Sequence, residues 1–278
     1  MRIEVNGIRV FFDVEGARLV PDGPIMREKP TLILLHGGPG MDHSLFMPAF
    51  SKFADIAQVI YIDHRGNGRS DNGESSAWNV AQWGDDVRTF CDALEIEKPI
   101  VLGQSFGGVV ALAYATRHPE HPGKLILVST QARADTPRSL AVFERLGGSE
   151  ARDAAARFFA GDPAAFADYA RLCFPLYARR KPWGPEVLAR CVQNVAVGMN
   201  YSGKAATVDL LPDLHRIVCP TLILAGEDDP IMPIESSEEM AATIAVNLVR
   251  LERYANTGHT LFEDEPRSFD AVREFILS

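Results

Sequence analysis

A short glycine-flanked motif at residues 103–107 carries the strongest chemical signal in this sequence. It has the sequence Gly-Gln-Ser-Phe-Gly, follows an apolar run at 99–102 and precedes a stretch of small and apolar residues at 109–115. A G-x-S-x-G pentapeptide between a buried strand and a helix predicts a sharp turn that presents its serine as a nucleophile. Only glycine at the flanks lets the neighbouring backbone pass that closely. We therefore expect Ser105 to attack a carbonyl carbon.

A nucleophilic serine needs a base that takes its proton and a third group that orients the base. An acidic turn, Gly-Glu-Asp-Asp-Pro at 226–230, directly follows one apolar run, and a Gly-His pair follows the last one. Because open α/β sheets bind ligands at the carboxyl ends of their strands, these side chains should reach the same edge as Ser105. This predicts His259 as the base and Asp229 as the acid, with Asp228 as the alternative acid.

Six further histidines are predicted to be structural. Four of them lie on predicted loops or helix ends away from this edge, and two follow strands near the site but precede the serine along the chain. In that order they are His43, His118, His121, His215, His36 and His64.

Acyl-bond hydrolysis also needs hydrogen-bond donors for the oxyanion that forms when the serine attacks. The apolar run at 31–35 ends in a glycine-rich turn, His-Gly-Gly-Pro-Gly at 36–40. Pro39 has no N–H and cannot contribute, so the predicted donors are the backbone N–H groups of Gly38 and Phe106. A glycine-rich turn after a strand could also bind phosphate, but both nucleotide-binding glycine motifs are missing from the sequence. Nucleotide binding is therefore disfavoured.

Five motifs in chain order resemble the α/β-hydrolase superfamily: those at 36–40, 63–70 (D-x-R-G-x-G-x-S), 103–108, 226–229 and 258–259. The first two are similar to those of the proline iminopeptidase (prolyl aminopeptidase) branch. In the superfamily the carboxylate comes three positions after the glycine of its turn, which selects Asp229 over Asp228. The resemblance also implies that Asp63 and Arg65 are structural ties beside the site.

The pattern of apolar runs predicts an α/β fold with a mostly parallel sheet flanked by helices. The first fourteen residues alternate around Asn6-Gly7 and predict a hairpin, followed by a loop rich in proline and glycine. Buried strands are predicted at 31–35, 59–62, 99–102, 124–128, 221–224 and 247–251, and an amphipathic helix is predicted over 80–94. We expect residues 1–131 and 215–278 to form the core and 132–214 to form an inserted helical cap, with helices at 139–146, 150–160, 163–180 and 185–199.

The cap decides the substrate, and the sequence leaves two options open. Iminopeptidases bind a free α-ammonium group through cap carboxylates, usually near a Trp-Glu element, and this cap has no such pair and is slightly basic. Three glutamates could still bind an amine: Glu144, Glu150 and Glu186. Four aromatic residues are candidates for substrate contact: Phe143, Phe159, Tyr177 and Trp183. Prolyl aminopeptidase action and ester or lactone hydrolysis are both compatible, as is a non-catalytic ligand-binding protein that keeps the fold.

The net charge and the cysteine content indicate which kinds of binding partner this chain can have. The chain has 278 residues and a formal net charge of −9, so it should repel phosphate backbones and anionic lipid headgroups. The substrate is then a small molecule or a short peptide, and nucleic acid and membrane partners are not expected. The four cysteines are widely spaced without metal-ligand patterns, so we expect reduced thiols, no metal and no cofactor. Without an apolar leader pattern, the expected location is the cytoplasm. The oligomeric state stays open.

Overall fold

The computed structural model describes residues 1–180 and 182–278, and its centre is an eight-stranded sheet with helices on both faces. The strand order in the sheet is β1-β2-β6-β5-β7-β8-β9-β10. The strands are β1 (Arg2–Val5), β2 (Ile8–Glu15), β3 (Leu19–Asp22), β4 (Ile25–Glu28), β5 (Thr31–Leu35), β6 (Gln58–Ile62), β7 (Ile100–Gln104), β8 (Lys124–Val128), β9 (Thr221–Gly226) and β10 (Val249–Tyr254). The α-helices are α1 (Val80–Ala93), α2 (Phe106–Arg117), α3 (Thr136–Phe159), α4 (Phe166–Leu172), α5 (Pro185–Arg190), α6 (Val195–Ser202), α7 (Ile234–Thr243), α8 (Leu261–Asp264) and α9 (Ser268–Leu277).

The predicted mostly parallel sheet is confirmed. Strands β1 and β2 are antiparallel and joined by Asn6 and Gly7, whose φ angles of 46° and 77° fit the predicted two-residue turn. Strand β2 pairs antiparallel with β6, and every pairing from β6 to β10 is parallel. The six predicted strands are all present, with ends that differ from the prediction by up to three residues. The last of them, β10, is not buried as predicted, because it lies at the edge of the sheet.

The predicted loop after the first hairpin is wrong in part, because it contains a second, two-stranded sheet. Strands β3 and β4 pair antiparallel there. Their side chains are largely exposed, and Leu19, Ile25 and Met26 face solvent. A hairpin that buries neither face lacks the alternation of apolar and polar residues from which a strand is predicted.

The two faces of the large sheet bury separate apolar clusters. On one face α1 and α2 pack together, and Trp83, Phe90 and Tyr114 are almost fully buried. The predicted amphipathic helix is therefore confirmed as α1. On the other face α8, α9 and the 3-10 helix Ala49–Asp55 form a second cluster, in which Phe50 of the 3-10 helix packs against Phe269 of α9. No helix in the described part of the chain combines the length and apolar character of a membrane span.

The segment predicted as a cap is helical, but its helices differ from those expected. The first two predicted helices run together as α3, which is broken at Gly148, where φ is 76°. The third shortens to α4 between two short 3-10 turns, and the fourth divides into α5 and α6. Gly148 breaks α3, and Pro163 and Pro175 lie in the turns on either side of α4, where they interrupt the backbone hydrogen bonding. The break between α5 and α6 contains neither residue type; there Asn194 caps the start of α6. A small core of its own forms around Phe143 and Tyr169. The division between core and cap at 131/132 and 214/215 stays a prediction.

A buried ion pair connects the first hairpin, the loop after β6 and α1. The Arg65 guanidinium donates through Nε and Nη2 to the two carboxylate oxygens of Asp86, both at 2.8 Å, and both side chains are buried. Asp86 also accepts from Asn6 and Gln82, each at 2.9 Å. If either side chain were removed, the other would be left as an unpaired charge in the interior. Each side chain of the pair is therefore stabilised by the other.

Two histidines that follow β5 and β6 pack against each other in the interior. The Nδ1 of His36 lies 2.7 Å from the carbonyl oxygen of Gly37 and donates to it, so its Nε2 is free to accept from the backbone N–H of His64 at 3.3 Å. The rings are 4.4 Å apart. Burial lowers the pKa of His36, and it lowers the pKa of His64 well below its ordinary value. Both rings are therefore held neutral.

We expect Asp86→Asn to lower the free energy of unfolding by about 3 to 5 kcal/mol, because it leaves Arg65 as a buried, unpaired charge. The matched control is Asp92→Asn on the same helix, since Asp92 pairs with Arg88 at the exposed surface. That change should cost no more than about 0.5 kcal/mol. Urea unfolding of both variants measures the difference, and equal losses would contradict the coupling.

The histidine pair should make the protein less stable as the pH falls from about 7.5 to about 5.5. Their folded-state pKa values lie below the unfolded value, so the unfolded chain takes up protons first, and this uptake lowers its free energy relative to the folded state below about pH 6.5. Urea unfolding of His64→Asn should show a smaller slope, by up to about 1.4 kcal/mol per pH unit. The exposed His215 supplies the control His215→Asn, which should leave the slope unchanged. If the pH dependence of the free energy of unfolding is the same in His64→Asn as in the parent protein, the histidine pair is not its cause.

Candidate active site

Ser105 occupies the predicted sharp turn between β7 and α2. Its φ and ψ are 56° and −125°, a strained conformation for a residue with a side chain. A Cβ on Gly103 would lie 2.3 Å from the carbonyl oxygen of Gly107, and one on Gly107 would lie 1.9 Å from that of Leu35. Both flanking positions therefore exclude any larger residue. The Ser105 carbonyl accepts from Thr130 Oγ1 at 2.7 Å, which holds the turn from the next strand.

Three polar side chains from separate loops form a continuous hydrogen-bonded chain. The Nε2 of His259 is 3.0 Å from the Oγ of Ser105, and its Nδ1 is 2.8 Å from Oδ2 of Asp229. The Nδ1–H of His259 donates a hydrogen bond to the carboxylate of Asp229, which leaves Nε2 free to accept a hydrogen bond from the hydroxyl group of Ser105. All three residues are at least nine-tenths buried. The arrangement can transfer a proton from the serine to the imidazole.

The carboxylate of Asp229 is itself fixed by its own loop. Its second oxygen, Oδ1, accepts from the backbone N–H groups of Ile231 at 2.8 Å and Met232 at 2.9 Å. The alternative acid, Asp228, has other partners: its carboxylate lies 2.6 Å from Arg145 and 3.5 Å from Arg179. In this geometry Asp229, and not Asp228, bonds the imidazole.

The glycine-rich turn at 36–40 lies directly against the serine. A Cβ on Gly37 would be 3.3 Å from the Cβ of Ser105. Gly38 has a φ of 123°, which disfavours any side chain there. The turn is held on both sides of Gly40, whose N–H donates to Asn67 at 2.6 Å and whose carbonyl accepts from the N–H of Asn194 at 2.8 Å.

The loop at 63–70 supports this turn through buried carboxylates. Asp63 accepts from the backbone N–H and Nδ1 of His43, at 2.9 and 2.6 Å, and from the N–H of Arg69 at 2.8 Å. Asp42 accepts from Ser44 and the Arg69 guanidinium, and at 3.1 Å from the N–H of Val192. Asp42, His43 and Asp63 offer three close ligand atoms. All four carboxylate oxygens already accept hydrogen bonds, so this donor set fits a structural tie better than a metal site.

The four aromatic candidates of the cap occupy different environments. Tyr177 meets His259 edge-on, with ring centroids 5.5 Å apart, and its hydroxyl hydrogen-bonds that of Tyr169 at 2.6 Å. Phe143 is completely buried in the core of the cap, and the half-buried Phe159 packs against it. Trp183 is half-buried, and its indole Nε1 has no hydrogen-bond partner among the described residues. Of the four candidates, Tyr177 is the one that contacts the hydrogen-bonded group of Ser105, His259 and Asp229.

Sequence reasoning did not identify Asn67 and Asn194 as residues of the site. Tyr201, on α6, packs edge-on against Phe106 with ring centroids 4.9 Å apart. Asn194 and Tyr201 both come from the cap segment and reach the core across more than ninety residues of chain. Asn67 lies within the D-x-R-G-x-G-x-S motif, which was the only available signal for it.

Comparisons with known proteins agree with this architecture. The YisY protein of Bacillus subtilis (strain 168), a member of the AB hydrolase superfamily, is 30% identical over 248 residues, which cover 87% of this chain and 89% of that protein. The proline iminopeptidase of Mycobacterium smegmatis has a similar fold, with a TM-score of 0.79 at 23% identity over 100% of this chain and 97% of the other. An Exiguobacterium antarcticum esterase gives a TM-score of 0.76 at 20% identity, covering 100% and 99%.

The family model that describes the alpha/beta hydrolase fold matches residues 30–266. This range includes the sharp turn at Ser105, the acidic turn after β9 and the loop of His259. The chain therefore belongs to the alpha/beta hydrolase family.

Proposed function

We propose that this protein is a serine hydrolase that cleaves a carboxylic ester or lactone of a small substrate through an acyl-enzyme. The observation that carries the proposal is the chain of hydrogen bonds from Ser105 through His259 to Asp229, at 3.0 and 2.8 Å. This geometry matches the distances that a nucleophile, its general base and an orienting carboxylate require.

In the proposed reaction the Oγ of Ser105 forms a bond to the substrate carbonyl carbon while its proton moves to Nε2 of His259. The carbonyl oxygen becomes an oxyanion that accepts hydrogen bonds from the N–H groups of Gly38 and Phe106. Each such donor contributes about 3 to 4 kcal/mol to the transition state. Collapse of the intermediate breaks the ester bond, and His259 returns the proton to the leaving alcohol oxygen.

The acyl-enzyme is then hydrolysed by the same groups acting in reverse. His259 takes a proton from a water molecule, and the resulting oxygen forms a bond to the acyl carbon. The second tetrahedral intermediate releases the carboxylic acid, and the proton on His259 returns to Oγ of Ser105. Asp229 stays ionised and stabilises the imidazolium that exists between these transfers.

The charge distribution of the cap favours a neutral substrate. A free α-ammonium group needs a carboxylate at the site, but all nine cap carboxylates lie at exposed or half-exposed positions. Of the three glutamates considered as amine ligands, Glu144 pairs with Arg152 at 3.3 Å, and Glu150 and Glu186 are exposed. The cap side chain that touches His259 is the uncharged Tyr177. These features support an ester or a lactone.

Prolyl aminopeptidase activity is the second candidate. The His-Gly-Gly-Pro-Gly turn at 36–40 favours it, as does the similarity to the Mycobacterium smegmatis proline iminopeptidase. It uses the same nucleophile, base and acid, so the two candidates differ in how the cap binds the substrate and in whether an amide or an ester bond is cleaved.

A fluorophosphonate probe should label Ser105 and no other serine of the folded protein. Ser105→Ala should abolish labelling and lower kcat for a short p-nitrophenyl ester by at least about 10³-fold, because no other group replaces the nucleophile. Ser129→Ala is the matched control: Ser129 is also buried and follows the neighbouring strand, and its hydroxyl has no partner among the described residues. Labelling that survives in Ser105→Ala would refute the proposed nucleophile.

A side-by-side assay of a short p-nitrophenyl ester, an acyl lactone and proline p-nitroanilide separates the two candidate functions. We expect kcat/KM for the ester or the lactone to exceed that for the anilide by at least about 100-fold, since no cap carboxylate is buried to bind the amine. Blocking the proline amino group is the control for amine recognition. Efficient anilide turnover that is lost on blocking would instead establish the aminopeptidase.

A further inference from the structure

Asp264 is a buried carboxylate that plays no part in the proposed chemistry. It ends α8, five residues after His259, and its side chain is 1% exposed. From the described residues its oxygens accept three backbone hydrogen bonds: Oδ2 from Gly258 at 2.8 Å and Arg179 at 2.7 Å, and Oδ1 from Arg180 at 2.7 Å. One side chain therefore joins the residue before His259 to the cap segment that follows Tyr177.

Other contacts bring the same two stretches of chain together. The N–H of Thr260 donates to the carbonyl of Tyr177 at 3.1 Å, and a Cβ on Gly258 would be 2.4 Å from that carbonyl oxygen. The residues on both sides of His259 thus lie directly against the cap backbone. The ring of Tyr177 then covers one edge of the imidazole.

The same cap segment also touches the loop of the orienting acid. The guanidinium of Arg179 lies 3.5 Å from Asp228, the neighbour of Asp229 along the chain. The segment 177–180 therefore contacts the loops that carry both Asp229 and His259. A shift of this segment would be transmitted to the imidazole and to its carboxylate partner.

We propose that Asp264 is a positioning residue that fixes His259 against Ser105 and makes that position depend on the cap. This inference rests on the proposed function, in which His259 is the general base. An ionised carboxylate suits the task, because two oxygens with several lone pairs can accept three N–H donors from two loops. An asparagine has one acceptor oxygen, and its amide group would point N–H donors at a backbone N–H.

The test compares Asp264→Asn with the parent protein, using a short p-nitrophenyl ester and the rate of Ser105 labelling by a fluorophosphonate. Weakening the carboxylate bridge should let His259 spend less time within hydrogen-bond distance of Ser105. We expect kcat and the labelling rate to fall at least about tenfold, while KM for the short ester changes less than about threefold. Asp264→Glu, which keeps the carboxylate, should recover part of the loss.

Asp270→Asn is the matched control, because it makes the same chemical change at an exposed position of α9. Its kcat and labelling rate should equal those of the parent. Thermal unfolding of every variant confirms that activity is measured well below the melting temperature. A folded Asp264→Asn whose kcat and labelling rate stay within about twofold of the parent would overturn the positioning role. So would an Asp264→Glu variant as slow as Asp264→Asn.

Hydrogen exchange of the parent protein tests the bridge even if Asp264→Asn does not fold. The amides of Gly258, Arg179 and Arg180 should exchange much more slowly than free loop amides, because the buried carboxylate accepts all three. Exchange at the rate of an open loop would overturn the inference. Ser105→Ala separates the two proposals: retained activity there rejects the serine mechanism, whereas a parent-like Asp264→Asn rejects the positioning role alone.

Discussion

The strained backbone at Ser105 is the constraint on which the rest of the site depends. A residue with a side chain at this φ and ψ costs about 1 to 3 kcal/mol, and only a rigid surrounding can hold it. That surrounding is the centre of the parallel sheet, where the N–H of Ser105 donates to the carbonyl of Val128 at 2.9 Å and Thr130 holds its carbonyl. Gly103 and Gly107, on either side of Ser105, let β5 and α2 approach closely enough to complete this rigid surrounding. The position of the serine is therefore fixed by the fold itself.

The loops around the serine have little regular structure, and buried carboxylates fix them instead. Asp229 accepts from two N–H groups of its own loop, and Asp264 accepts from three across two segments. Asp42 and Asp63 do the same for the loops at 42–44 and 63–70. A backbone N–H bonded to a charged acceptor is worth more than one bonded to a neutral group, so a few acids can replace a strand or a helix as a support.

The sequence predicts the nucleophile turn, the acid and the histidine because each directly follows an apolar run that becomes a parallel strand. Parallel strands bring their carboxyl ends together, so local pattern is enough to group Ser105, Asp229 and His259. The supports are different. Asn194 bonds Gly66 from 128 positions away, and Asp264 bonds Arg179 from 85 positions away. Contacts between residues so far apart in the sequence leave no local pattern from which they could be predicted. The exposed hairpin of β3 and β4 was not predicted either. It buries neither face, so its sequence does not show the alternation of apolar and polar residues that indicates a strand.

The cap is tied to the core at the catalytic loops themselves. Asn194 and Val192 form hydrogen bonds with Gly40 and Asp42, at and beside the glycine-rich turn. The backbone N–H groups of Arg179 and Arg180 donate to Asp264, five residues after His259. The segments that contact the glycine-rich turn and the loop of His259 therefore belong to the part of the chain that is predicted to form the cap. In the proposed reaction, a shift of these segments would also change the position of His259 relative to Ser105. Substrate binding by the cap and proton transfer by His259 would then depend on shared backbone contacts.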